Sequence, residues 1–220
     1  WGYFPSFSAG WIMSNEDFFK ALGTPVSFLK LRASWGLNGS TSNLKNYSYS
    51  NSLATNPIAY SFTPGATGFE YTIGTMPTQL YNPSLKWETS EQIDLGLDLR
   101  MFRDRLTMGF DWFNKTTRDL IVANTNVPYE AGNKAAPVNA GNVLNRGIEL
   151  EISWKDAIGD FFYSVSGNIA TLHNEVTYLD PNVGEGRING MKFASSGFAT
   201  AFEKGFPIWY FRGYHVEGLD

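Results

Sequence analysis

Between Ile93 and Leu120 apolar and polar residues alternate with a period of two. Ile93, Leu95, Leu97, Leu99 and Met101 occupy one parity and Asp94, Gly96, Asp98 and Arg100 the other. A polar break at Arg103-Asp104-Arg105 is followed by Leu106, Met108, Phe110 and Trp112 against Thr107, Gly109 and Asp111. Such alternation is the signature of strands with one apolar and one polar face. The two apolar sets share a face only if the connection has an even number of residues. The pattern therefore predicts a hairpin with Met101 opposite Leu106, Leu99 opposite Met108, Leu97 opposite Phe110 and Leu95 opposite Trp112. A slip of one residue would invert every side chain. On the polar face Asp98 then meets Gly109 and Gly96 meets Asp111, so no like charges are forced together.

The same alternation marks other segments. Trp1 to Met13 and Val26 to Gly36 read as strands, separated by a short helical turn that Ser14-Asn15-Glu16 would cap. Gly147 to Trp154 and Phe161 to Thr171 read as a second hairpin, with Trp154 matched to Phe161. Phe198 to Glu203 and Ile208 to Val216 are two further strands around Gly205-Phe206-Pro207. The expectation is about eight antiparallel strands. Long connections at 37–85, 124–143 and 174–196 alternate with short ones at 14–25, 102–105, 155–160 and 204–207. All long loops then fall on one rim, the asymmetry of an outer-membrane barrel with periplasmic short turns.

Composition narrows the choice. The chain has 220 residues, no cysteine, 16% aromatic and only 17% charged residues, with a net charge of −4. This excludes a disulfide scaffold, a thiolate metal site and a basic nucleic-acid footprint. No apolar run approaches the ~18 residues of a helical span. With no initiator Met or signal peptide, the sequence reads as a piece of a longer chain. Trp11, Trp35, Trp87, Trp154 and Trp209 lie near expected strand ends, where aromatic girdles belong, and Trp112 joins them if its strand runs on to about Ile121.

In a membrane barrel, Leu29, Leu95, Leu97, Leu99, Met108, Phe110, Ile148, Leu150 and Val165 would face lipid. Lys30, Arg32, Asp94, Asp98, Arg100, Asp111, Glu149 and Glu151 would face a wet lumen. Glu91 has lipid-side parity but lies outward of Leu97, above the bilayer. Alternation alone leaves open the reverse orientation, with the apolar faces forming the core of a soluble sandwich or barrel.

The segment NPSLKWETSEQIDLGLDLRMFRDRLTMGFDWFNKTTRDLI resembles the barrel of SusC/RagA-type TonB-dependent outer-membrane transporters. So do FLKLRASWGLNG, NAGNVLNRGIELEISWK, FFYSVSGNIATLHNEV and the late EKGFPIWYFRGYHVEGLD. The resemblance touches most of residues 1–36 and 82–218. It implies an all-β fold, a segment of a transmembrane barrel of about 22 strands closed by a plug. It also implies import of glycans or peptides, with a SusD-like surface lipoprotein as lid. Energy would come from TonB, acting through a plug that this sequence does not contain. Two rivals remain: a self-contained eight-stranded structural or adhesion barrel, and a soluble carbohydrate-binding β-domain.

Other chemistry finds little support in the residues. His173 and His215 lack any HxxH or cysteine partner, so neither a metal nor a cofactor is expected. Glu149 and Glu151 could mimic a glycosidase pair but read more simply as lumen-lining carboxylates. No phosphate-binding or nucleophile-elbow motif occurs, and no enzymatic activity is expected. The candidates for ligand contact are the aromatic residues of the first long loop: Tyr47, Tyr49, Tyr60, Phe62, Phe69, Tyr71 and Tyr81. Flat rings there can stack on sugars or peptide side chains, or pack the loop on itself.

Overall fold

In the computed structural model, six strands form one antiparallel meander, and each expected alternating segment before residue 175 lies in it. The structure describes residues 1–44, 48–50, 53–61, 71–77, 79–123, 130, 132–191, 200–213 and 218. The strands are β1 (Ser6–Ile12), β2 (Val26–Ser40), β3 (Leu53–Ser61), β4 (Tyr71–Pro77), β5 (Glu88–Met101), β6 (Leu106–Ala123), β7 (Pro137–Ile158), β8 (Phe161–Leu179), β9 (Arg187–Asn189), β10 (Thr200–Glu203) and β11 (Tyr210–Phe211). The main sheet runs β1-β2-β5-β6-β7-β8. Helix α1 (Asp17–Lys20) is a single turn whose cap is Glu16, with no side-chain cap bond, rather than Ser14 or Asn15.

The β5–β6 register is the one that alternation dictates, from Met101↔Leu106 to Leu95↔Trp112, with Asp98 opposite Gly109 and Gly96 opposite Asp111. Its connection is unusual. Phe102, Arg103 and Asp104 all have left-handed backbone, with φ of 57°, 59° and 66°. Non-glycine residues pay for that conformation in Cβ clashes of ~1–2 kcal/mol per residue. The turn is held from outside: Ser27 Oγ donates to Asp104 Oδ1 at 2.6 Å, and the Phe102 ring leans on Trp154.

The β7–β8 hairpin departs from expectation. Trp154 faces Val165, not Phe161, and pairing continues to Ile158↔Phe161. The expected turn 155–160 shrinks to Gly159-Asp160. Gly159 has φ 62°, the conformation that lets glycine begin a tight two-residue hairpin loop. The shift is an even number of residues, so each side chain keeps its face and only its height changes.

The apolar side of the sheet carries a slanted band. Its upper limit passes from Leu37 on β2 through Ile93, Trp112 and Ile148 to Ile169 on β8. Ile169 shares a cross-strand row with Leu150, Phe110, Leu97 and Leu31. Leu31 lies about 20 Å down-strand of Leu37 at ~3.4 Å per residue. The four strand spacings between β2 and β8 amount to about 19 Å. The lower limit descends equally, from Leu29, which shares a row with Gly167, to Phe161. A level band therefore requires strands inclined at about 45°, within the range of membrane barrels. So inclined, the band is about 19 Å tall between its terminal Cβ positions, which fits an apolar belt of ~25 Å once side chains are added. Among the described residues nothing covers it: Val165 is 67% and Ile169 61% exposed.

Aromatic side chains mark both limits. Trp11, its Nε1 donating to Glu16 at 3.0 Å, stands at the lower one, with Trp154 about 7 Å inside it; Trp35 and Trp112 stand at the upper. Trp35 Nε1 donates to Glu91 at 3.1 Å, and Arg118 pairs with the same carboxylate at 2.9 Å. Glu91 is thus satisfied just beyond the band. Trp209 does not belong to this girdle. It packs on Phe202 and over Gly190, beside the minor sheet.

The expected long loops contain more structure than their composition suggests. Strand β2 continues to Ser40, and β3 and β4 pair as a hairpin inside 37–85. Strand β7 begins at Pro137, inside the expected loop 124–143, and β8 runs to Leu179 inside 174–196. Polar side chains replace hydrophobic packing here. Asp119, with φ 56°, sits at a register shift in β6, and Asn142 Oδ1 and Asn139 Nδ2 satisfy its N–H and C=O. The same shift leaves the Ile121 N–H without a ladder partner. Glu88, 6% exposed, accepts it at 2.8 Å while also accepting from Asn43 at 2.9 Å.

Of the expected last two strands, 198–199 and 214–216 lie outside the described residues, and the described parts do not extend the main sheet. β10 pairs with both β9 and β11 in a separate sheet ordered β11-β10-β9. Phe202 carries this sheet onto Val143, Val176 and Leu179, the one cluster of fully buried apolar residues among those described. The chain then touches the free edge of β8: Gly205 N donates to Val176 O at 2.8 Å and Val176 N to Phe206 O at 2.9 Å. Pro207 and the left-handed Trp209 (φ 54°) end that ladder.

Candidate functional site

The register places Lys30, Arg32, Asp94, Asp98, Arg100, Asp111, Glu149 and Glu151 on one face, opposite the apolar band. Arg32 is the hub. Its Nε and Nη2 bond both oxygens of Asp98 at 2.9 and 3.0 Å, and Nη2 also reaches Asp111 at 3.0 Å. The guanidinium lies over Gly96, where a Cβ would stand 2.7 Å from Cζ and 2.6 Å from Asp111 Oδ1. Glycine is what lets one cation lie flat across three strands. The three side chains are 35–38% exposed, so each pair contributes about 1 kcal/mol at most.

The remaining charges divide into two neighbourhoods. Asp94 accepts from Ser34 Oγ at 2.9 Å and Gln92 Nε2 at 2.8 Å. Together with Lys115, Asn145 and Glu149 these side chains line an open depression of about 510 Å³. Glu149 and Glu151 line a second, of about 480 Å³, with Asp98, Asp111 and Asn168. Neither glutamate has an ion-pair partner among the described residues. Lys30 lays its aliphatic stem over Gly10, and Arg100 stands 5.3 Å from the centre of the Phe28 ring. Arranged this way, the face offers hydroxyl, carboxamide and carboxylate groups on one open side of the sheet. Among the described residues no three His, Asp or Glu side chains gather to hold a metal.

Two of the first-loop aromatics have described side chains. Tyr49 and Tyr81 are exposed, at 59% and 51%. Tyr60 pairs with Thr72, and Tyr71 with Ser61, in the β3–β4 hairpin. Tyr47, Phe62 and Phe69 lie outside the described residues.

A family model for the β-barrel of TonB-dependent receptor-like proteins matches residues 1–216. The chain belongs to the TonB-dependent receptor β-barrel family. The chain is 36% identical over 182 residues to TonB-dependent receptor P39 of Formosa agariphila, covering 81% of this receptor segment and 16% of that protein. Against TonB-dependent receptor SusC of Bacteroides thetaiotaomicron it is 32% identical over 181 residues, covering 81% and 17%. The fold matches the RagAB peptide importer in its closed-closed state with a TM-score of 0.72 at 24% identity, over 95% of this chain and 21% of that one. This receptor segment thus spans about a sixth of the length of the curated relatives it matches. Membership makes the open sheet a partial barrel, with β1 and β8 as its two edges.

Several residues of the receptor wall escaped a reading that stopped at the clearest alternation. Gln92 and Lys115 share the parity of Asp94 and Asp111, and extending the period outward finds them, whereas Ser34 already alternates with Lys30 and Arg32 on the polar face of Val26 to Gly36. Glu88 and its asparagines could not be found that way. They answer a break in the register, and a break has no period.

Proposed function

We propose that this chain is wall and outer rim of a TonB-dependent importer in the outer membrane of a Gram-negative bacterium. The observation that carries the reading is the level apolar band: only inclined strands make it horizontal, and no described residue covers it. The opposite face, with the Arg32 hub and its two depressions, then lines an aqueous lumen. The long connections look outward, and the short ones, 14–25, 102–105 and Gly159-Asp160, face the periplasm. Lipid is the partner of the band. A SusD-like lipoprotein would close the outer mouth, and TonB would act through a plug elsewhere in the protein. The names of the SusC and RagAB relatives support a cargo of oligosaccharide or peptide. Tyr49 and Tyr81 are the exposed rings on the outward side that can meet it. The chain binds and guides, and makes or breaks no bond.

This segment has no cysteine of its own, so labels placed in it by substitution in an otherwise cysteine-free receptor give a direct test. Single cysteines at Ser166, Asn168, Val165 and Ile169 on β8 are spin-labelled in the membrane-assembled receptor. Labels at 166 and 168 should collide with a water-soluble nickel chelate, and labels at 165 and 169 with oxygen dissolved in lipid. The reverse pattern, or chelate access throughout, would end this reading. Uptake of the cargo should also vanish in cells lacking TonB.

A further inference from the structure

We propose that Arg146 anchors the phosphate of an outer-leaflet lipopolysaccharide against the outside of the wall. This rests on the membrane orientation argued above and concerns a surface that transport does not use. Arg146 is on the apolar side of β7, one alternate position beyond Ile148. At ~3.4 Å per residue and an inclination of ~45°, its Cα stands about 5 Å outward of Ile148, at headgroup depth. The other polar side chains of this kind on this side of the strands have partners: Arg118 pairs with Glu91 at 2.9 Å, Asp156 with Arg105 at 3.2 Å, and His173 hydrogen-bonds Glu175 at 3.2 Å. Arg146 is exposed and has no carboxylate or hydrogen-bond partner among the described residues.

Its surroundings suit a phosphate. Asn114 is directly opposite on β6 and His173 directly opposite on β8, within the ~5 Å of cross-strand neighbours. Trp112 and Thr116 on β6 and Thr171 and Glu175 on β8 hold the diagonal places, and the Glu175 carboxylate is bonded to His173 at 3.2 Å. Asn114 Oδ1 is buried without a partner, and its Nδ2 makes no hydrogen bond among the described residues, so the N–H₂ is uncommitted. A guanidinium reads phosphate by paired N–H donors, which a single uncommitted arginine retains. Below it Ile148, Leu150 and Ile152 form a continuous aliphatic track down β7. A charged head above a long apolar track is the shape of an acylated phospholipid-like molecule, and the outward rim selects the glycolipid of the outer leaflet.

The test uses the full receptor extracted from outer membranes in mild detergent, with lipid A counted per barrel by mass spectrometry. Arg146→Gln should retain at least five-fold less lipid A than wild type. Arg146→Lys should retain about half, and Arg103→Gln at the opposite rim should match wild type. Heat-modifiable migration on gels verifies assembly. Independently of any variant, phenylglyoxal should modify Arg146 in phosphatidylethanolamine vesicles but not in vesicles carrying lipopolysaccharide. Equal lipid A in Arg146→Gln and wild type overturns the site, as does equal modification in both vesicles. So does loss of a glycerophospholipid with lipid A unchanged. A receptor recovered without detergent would bring down the membrane reading itself, whereas Arg146-independent lipid in a detergent-requiring receptor sinks only this site.

Discussion

Val165 and Met101 occupy the same cross-strand row, reached through Leu106 and Trp154. In an upright sheet they would lie at equal depth. With strands inclined at ~45°, three spacings of ~4.8 Å put Val165 about 10 Å nearer the upper interface than Met101. That places Val165 near mid-bilayer and Met101 at the lower limit of the band. An arginine on the lipid side costs ~2–4 kcal/mol at mid-bilayer and ~0–1 kcal/mol near an interface. Val165→Arg should therefore destabilise the receptor by about 3 kcal/mol and Met101→Arg by less than about 1 kcal/mol. The measurement is guanidinium unfolding of the receptor in phosphatidylcholine vesicles, followed by tryptophan fluorescence. Asn168→Arg, on the polar side of the same strand, supplies the baseline. Equal losses at Val165 and Met101 would refute the inclination. A loss near zero at Val165, which is 67% exposed, would place that face in water.

Arg103→Gly should raise stability by about 1 kcal/mol, because glycine adopts the left-handed conformation of the 102–104 turn freely. An unchanged unfolding midpoint would mean that the turn carries no strain. Glu88→Ala should lose about 2 kcal/mol by stranding the Ile121 N–H and the Asn43 amide, while Glu88→Gln, which keeps the accepting oxygen, should lose less than half of that. Hydrogen exchange at Ile121 reads this directly. Arg32→Ala should cost only about 1 kcal/mol, given the exposure of its pairs, yet shift ion selectivity of the open pore further toward cations. Planar-bilayer reversal potentials measure the shift. The Tyr210 hydroxyl, raised above its usual 10.0 by burial and then by its 2.8 Å bond to Glu203, binds its proton more tightly folded than unfolded. Its stabilisation is complete below the unfolded pKa and is lost as pH climbs through the folded one. Local hydrogen exchange in β10 and β11 should thus rise above pH 10 in wild type and lose that slope in Tyr210→Phe.

The middle of the sheet was legible because lipid or core, whichever covers it, enforces a strict period on Ile93–Met101 and Leu106–Trp112. Side of the sheet was therefore easier to read than height. Lys155 to Asp160 shows why: polar residues beyond the band need not end a strand, so Ile158 still pairs with Phe161 although composition suggested a loop. At the outward rim the period failed altogether. Glu88, Asn139 and Asn142 satisfy a backbone irregularity at Asp119, and long-range hydrogen bonds leave no local trace in sequence. Phe198 to Glu203 and Ile208 to Val216 alternate acceptably, but in the described residues Gly205, Pro207 and Trp209 turn the chain after two hydrogen bonds to the edge of β8. The Arg32 hub lay between these extremes. Parity put its three members on one face, and only the register showed that Gly96 makes room for them to meet.

That vacancy above Gly96 has a consequence for gauge. A guanidinium that stands off its strand would protrude into the channel by most of the length of its side chain. Lying over the missing methyl, it adds strong charge with almost no loss of clearance. Gly96→Ala would keep every formal charge and still lift the cation off the strand, so at this point the wall is more easily recharged than thickened.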